Sequence, residues 1–193
     1  MIQKITTFIA VILLVLSCSN QQEQQNLIDM KANNWKTEIE KTLNQFGHRN
    51  WIVIADAAYP EQSNPAIKTV TIEATQLEAV KLVSQLIEKA GHVDANVFVD
   101  KEMDFVPEES AKGIESYRKE LQQILLGKNT KKMLHEDIIR ELDASAKLFN
   151  VLIIKTDLAI PYTSVFFQLE CGYWNGEAEK SLRELIENAS TIN

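Results

Sequence analysis

The sequence predicts an α/β fold, a layered sandwich in which a central sheet is flanked by helices. Two observations carry this. Four short apolar runs, Trp51–Ala55, Asn96–Val99, Asn150–Ile154 and Val165–Leu169, have the length and composition of buried strands. Between them lie longer segments with apolar residues at helical spacing, namely Gln76–Ala90, Glu108–Leu126 and His135–Phe149. Strands that alternate with helices define this class.

The first 17 residues read as a signal peptide rather than part of the fold. Lys4 supplies positive charge, and Ile5–Leu16 is apolar but too short for a membrane span. The run Val15-Leu16-Ser17-Cys18 resembles a bacterial lipobox, in which Cys18 receives lipid and becomes the first mature residue. The expected product is an exported protein of the bacterial cell envelope, lipid-anchored and facing the periplasm or the surface. Residues 18–26 are polar and glutamine-rich, which suits a flexible spacer. Residues 27–193 are long enough for a single domain with its own core.

Composition narrows the function. The formal charge is -7 and no basic cluster stands out, which disfavours nucleic acid as a partner. The chain has two cysteines, Cys18 and Cys171. With Cys18 lipidated, no internal disulfide is expected, and Cys171 is expected to be a small buried apolar residue.

The elements follow in order. Leu27–Phe46 reads as the first helix, with Leu27, Trp35, Ile39, Leu43 and Phe46 on one side and Trp35 as a core anchor. Gly47 suits its left-handed end. His48 then lies on the turn entering the Trp51–Ala55 strand and Asp56 at its exit. Taken alone, His48 suits a local hydrogen bond as well as catalysis, and Asp56 suits a turn. Glu61–Pro65 is a loop, and Lys68–Ile72 a short strand. Gly91 stops the Gln76–Ala90 helix, with His92 as an exposed capping residue. Gly127–Thr130 reads as a loop and Lys131-Lys132 as a solvated basic pair. His135 opens a helix, where a charged histidine is disfavoured by the helix dipole, so something other than helix stability selects it. Pro161-Tyr162-Thr163-Ser164 precedes the last strand, Gly172–Gly176 forms a turn, and Glu177–Ala189 is a terminal amphipathic helix.

The order of these motifs resembles the D-ribose pyranase and L-fucose mutarotase (RbsD/FucU) family. Gly47-His48 and Asp56-Ala57 match its opening pattern of a helix ending in Gly-His and a strand ending in Asp-Ala. His135-Glu136 resembles its second histidine at a helix start, and Pro161-Tyr162 the Pro-Tyr of its closing motif. The resemblance covers most of residues 36–174 and implies an RbsD-like domain. Three features depart from it. Ser164 stands where the family has asparagine, the chain carries an export signal, and the final helix runs past the usual family end.

What the resemblance implies is acid–base opening of a cyclic monosaccharide. The ring oxygen gains a proton, the anomeric hydroxyl loses one, and reclosure gives another anomer or ring size. Such chemistry needs a general acid and base with pKa near ambient pH, and no metal or cofactor. By this resemblance His48 is the proton donor, and Asp56, His135, Tyr162 and Ser164 hold sugar hydroxyls. It also implies a homo-oligomer, since family members form rings with sites at subunit interfaces. The competing expectation is a non-catalytic lipoprotein that keeps the fold and binds a sugar or a partner.

Overall fold

The computed structural model describes residues 35–190. The signal segment, Cys18, the spacer and the start of the first expected helix lie outside the described residues. The chain divides into two compact units, 1–38 and 39–193. Of the first, only residues 35–38 are described, and they open helix α1 (35–45).

The remaining elements are β1 (Trp51–Ala55), β2 (Ile67–Thr71), α2 (Gln76–Ala90), β3 (Val93–Asp100), a 3-10 turn (Lys101–Phe105), α3 (Ile114–Ile124), β4 (Thr130–Met133), α4 (His135–Ser145), β5 (Val151–Lys155), β6 (Val165–Cys171) and α5 (Gly176–Ser190). The strands form one six-stranded sheet in the order β2-β5-β1-β6-β3-β4. Strand β6 is antiparallel to both its neighbours, β1 and β3, and the other pairings are parallel. The carboxyl ends of five strands and the start of β6 therefore share one edge. The class is α/β, as the sequence predicts.

Strand β1 lies inside the sheet, and all five of its residues are buried. Trp51, Val53 and Ala55 pack on one face with Phe98, Val151, Ile153 and Phe166, under Ile138 and Leu142 of α4. Trp51 and Phe98 stack at 5.6 Å. Alternation turns Ile52 and Ile54 to the opposite face. Helix α2, which contacts β1, β3 and α3, brings Val80, Val83 and Ile87 to the core. Its ends follow from local chemistry. Thr75 and Glu78 form a reciprocal capping box, and Gly91 at φ 64° supplies the left-handed stop.

Several boundaries differ from the sequence reading, each for a physical reason. The left-handed residue after α1 is Arg49, at φ 74°, and Gly47 has no positive φ. Asn50 Oδ1 accepts from Gly47 N–H at 2.9 Å, while Arg49 N–H already pairs into the sheet with the Leu169 carbonyl at 2.7 Å. Glu108 lies outside α3 and caps it, its carboxylate accepting from Gly113 and Glu115 N–H at 2.6 and 3.0 Å. Residues 130–133 form an edge strand rather than a loop followed by a solvated pair. Lys132 pairs with Asp104, and Lys131 lies over the Phe98 ring at 5.6 Å. Charged side chains on an edge strand conceal it from a hydropathy reading while discouraging edge-to-edge association. His92 is half-buried and bridges the carbonyls of Ala90 and Phe46, at 2.9 and 3.1 Å, instead of standing exposed. Cys171 is half-buried rather than buried.

Gly172 is held by close backbone packing. A Cβ there meets the Gly91 carbonyl oxygen and the Val93 backbone at 2.9 Å. Gly172→Ala is expected to destabilise the domain by about 1–3 kcal/mol, the usual range for overpacking. At about 2–4 °C per kcal/mol for a domain of this size, calorimetry resolves the change. An unchanged melting temperature removes the close-approach explanation.

Candidate functional site: a cleft at the carboxyl edge of the sheet

Asp56 leaves β1 at the edge where the parallel strands end. One of its oxygens is committed to the turn, since Oδ1 accepts from Ala58 N–H at 2.8 Å. Its side chain lines a cleft of about 400 Å³ together with Tyr59, Gln62, His135, Glu136 and Tyr162.

His135 is the first residue of α4, and two acidic residues make that position tolerable. The α4 N-terminus has no side-chain cap of its own. Instead, both oxygens of Glu102 accept from His135 N–H at 3.1 Å. The imidazole Nδ1 lies 3.0 Å from Oδ1 of Asp100, which ends β3 and is fully buried as a side chain. Burial pushes the Asp100 carboxyl above the ordinary carboxylate range, and the His135 hydrogen bond opposes that push. The same hydrogen bond raises His135 above its ordinary 6.5, against a lowering by desolvation; the charges of Asp100, Glu102 and Glu136 raise it further. With Asp100 ionised, Nδ1 carries the proton and donates to it, leaving Nε2 to exchange a proton with a bound molecule. Oδ2 of Asp100 is buried without a hydrogen-bond partner.

Tyr162 closes the other side of the cleft. Its ring meets His135 edge-on, with centroids 5.9 Å apart. Its φ is 58°, a left-handed conformation rarely adopted by a bulky residue. The turn is fixed from below. Thr163 Oγ1 donates to the Ile160 carbonyl at 2.8 Å, and the Thr163 carbonyl accepts from buried Tyr117 Oη at 2.8 Å and from Gln76 Nε2. Thr156 Oγ1 in turn donates to Gln76 Oε1 at 3.1 Å. This network pins a strained residue beside the cleft, which is how strain persists at functional positions. Tyr117→Phe leaves a buried donor and acceptor short of partners. It should cost about 1–3 kcal/mol, read as a lower melting temperature, and loosen Tyr162. A variant as stable as wild type, with unchanged Tyr162 resonances, counts against the network.

Asp56, His135 and Tyr162 are thus brought together. His48 is not, within one chain. It precedes β1, whereas Asp56 follows it, and five strand residues at about 3.3 Å each set the two edges about 16 Å apart. Ser164 is buried, at 1% exposure, and does not line the cleft. Asp100 and Glu102 escaped the sequence reading. The available signal was an aspartate closing an apolar strand, Val97-Phe98-Val99-Asp100, as Asp56 closes β1.

Two further properties limit the chemistry. Burial raises the Tyr59 phenol to about 12, so it stays protonated at neutral pH. Among the described residues, no three of His, Cys, Asp and Glu are grouped to hold a metal ion. Another concavity, about 510 Å³, lies between α3 and β4. Within it Lys132 pairs with Asp104, and Arg118 donates to the carbonyls of Met103, Asp104 and Val106. The titratable side chains of Asp56, Tyr59, His135, Glu136 and Tyr162 converge in the smaller cleft.

The fold and cleft define an α/β protein with a cluster of titratable side chains at the carboxyl edge of a mixed sheet. The chain belongs to the RbsD / FucU transport protein family, whose model matches residues 30–172. No curated protein sequence is significantly similar to it. Among solved structures, it is similar to Bacillus subtilis RbsD complexed with D-ribose, at 18% identity and TM-score 0.49, over 72% of this chain and 93% of that one. It is also similar to the fucose mutarotase of Streptococcus pneumoniae in complex with L-fucose, at 20% identity and TM-score 0.45, over 70% and 91%. FucU of Bifidobacterium longum matches at 17% identity and TM-score 0.48, over 72% and 96%. Among the described residues, no helix is long and apolar enough to cross a membrane.

Proposed function

We propose that this chain interconverts the cyclic forms of a monosaccharide by acid–base ring opening. The observation that carries this reading is the His135–Asp100 pair at the cleft, beside Asp56 and Tyr162. Family membership supports the substrate class. In this reading His135 Nε2 moves the proton between the anomeric hydroxyl and the ring oxygen. Asp100 holds the ring and steadies its charge. Asp56 and Tyr162 hold hydroxyls that fix the pyranose or furanose face. The reaction consumes no co-reactant, because the proton removed from one oxygen is returned at another.

The N-terminal pattern extends the proposal to the cell envelope, with lipid on Cys18 holding the domain at a membrane. Mass spectrometry of the mature N-terminus, against Cys18→Ser, tests that part separately.

A second reading, a sugar- or partner-binding lipoprotein without catalysis, is favoured by one observation. The expected donor His48 and the expected sugar contact Ser164 are both absent from the cleft lining. The deciding experiment is magnetisation-exchange NMR on ribose, fucose, galactose and glucose. Accelerated exchange lost in His135→Ala supports catalysis in this cleft. Binding without acceleration supports the second reading. Exchange lost in His48→Ala as well requires His48 to reach the cleft of another copy, which is the homo-oligomer the family resemblance implies.

A further inference from the structure

Helix α5 follows the family-matched region, which ends at residue 172, and its large apolar residues are exposed. Leu182 is 39% exposed, Leu185 67% and Ile186 49%. Ala178, Leu182, Leu185 and Ala189 recur at i, i+4, i+7 and i+11 and form one stripe. Ser181 and Asn188 flank it on one side, Ile186 and Glu179 on the other. The remaining charges of the helix, Glu177, Lys180, Arg183, Glu184 and Glu187, occupy the far face.

The one charge beside the stripe is already satisfied. Trp174 Nε1 donates to Glu179 Oε2 at 2.8 Å, and Arg183 Nε donates to Oε1 at 2.7 Å. Both hold the Glu179 carboxyl below its usual range. The stripe therefore presents apolar surface without a competing unpaired charge at its rim.

We infer that α5 is a self-association surface that pairs antiparallel with α5 of a second copy. The stripe is symmetric about the midpoint of Leu182 and Leu185. In antiparallel register Leu182 meets the partner's Leu185, and Ala178 meets the partner's Ala189. Large residues meet at the centre and small ones at both ends, which is the self-complementarity a two-fold interface requires. Antiparallel pairing also opposes the helix dipoles. A lipid surface fits less well. Interfacial helices carry Lys and Arg on the polar face, whereas α5 carries Glu177, Glu179, Glu184 and Glu187 against Lys180 and Arg183. A 15-residue helix is about 22 Å long. One such stripe is short of the roughly 800 Å² per partner of a standard interface. The association is therefore weak and concentration-dependent.

The test is sedimentation velocity of the full chain in detergent over a hundredfold concentration range, beside Leu182→Asp/Leu185→Asp. The wild-type particle mass should double as concentration rises, and the variant's should not. Circular dichroism checks that the variant keeps its helices. Register is read by cross-linking in a Cys18→Ser/Cys171→Ser background. Ala178→Cys chains should link to Ala189→Cys chains and not to themselves. Equal concentration dependence in wild type and variant overturns the inference, as does self-linking of Ala178→Cys. So does loss of binding to phosphatidylcholine–phosphatidylglycerol vesicles without a change in mass, which would assign the stripe to a lipid surface.

Discussion

His135→Ala is expected to lower the rate of sugar ring opening by about 100- to 10,000-fold, the contribution of one positioned proton-transfer group. The fold should persist, because the side chain is half-buried at a helix start and the strands beneath do not depend on it. The expectation rests on three observations. Nδ1 is fixed by a fully buried carboxylate at 3.0 Å. The ring lines the cleft with Asp56 and Tyr162. The hydrogen bond to Asp100 raises its pKa above the ordinary 6.5. Magnetisation-exchange NMR on the best substrate measures the effect, with calorimetry confirming a folded variant. Exchange within a few-fold of wild type would remove His135 from the mechanism and leave the cleft as a binding site.

Much of the frame behind this prediction can be read from residues alone. Buried strands announce themselves by composition, as Trp51–Ala55 and Val151–Lys155 do. Helix α2 is legible to the residue because Thr75, Glu78 and Gly91 mark its ends by local chemistry. Strand β4 is not legible. Its residues are Thr-Lys-Lys-Met, and only the neighbouring β3 makes them a strand. The site divides the same way. Asp56, His135 and Tyr162 are visible because each stands at the boundary of a recognisable element. The Asp100–His135 pair spans 35 residues, and only the placement of β3 beside β4 brings the two together. His48 shows the converse. It is close to Asp56 in sequence, and the direction of one strand carries it to the opposite edge.

Asp100→Asn is the variant that separates a positioning role from a packing one. Asparagine keeps the size of the side chain and loses the charge. The hydrogen bond to the Asp100 carboxylate is the largest influence raising His135, so replacing that carboxylate by a neutral amide should bring the imidazole pKa down, toward or below 6.5. Ring-carbon NMR of His135 reads this directly. Turnover should fall by about 100-fold, toward the lower end of what a positioned acid–base group supplies, and its pH dependence should shift to more acid pH with the imidazole. Stability carries an independent sign. His135 has a folded pKa above its unfolded value of about 6.5. Its pairing with Asp100 therefore contributes stability fully below that pH and loses it as pH rises through the folded value. Asp100 acts in the same direction, because burial raises its folded pKa above 3.8, and ionising it costs stability as pH rises past that range. Wild type should thus lose melting temperature between mildly acid and alkaline pH more steeply than Asp100→Asn. His92, whose pKa is also raised, is common to both proteins and cancels in the comparison. Parallel pH profiles for stability, with an unmoved His135 titration, would mean that the carboxylate only fills space beneath the cleft.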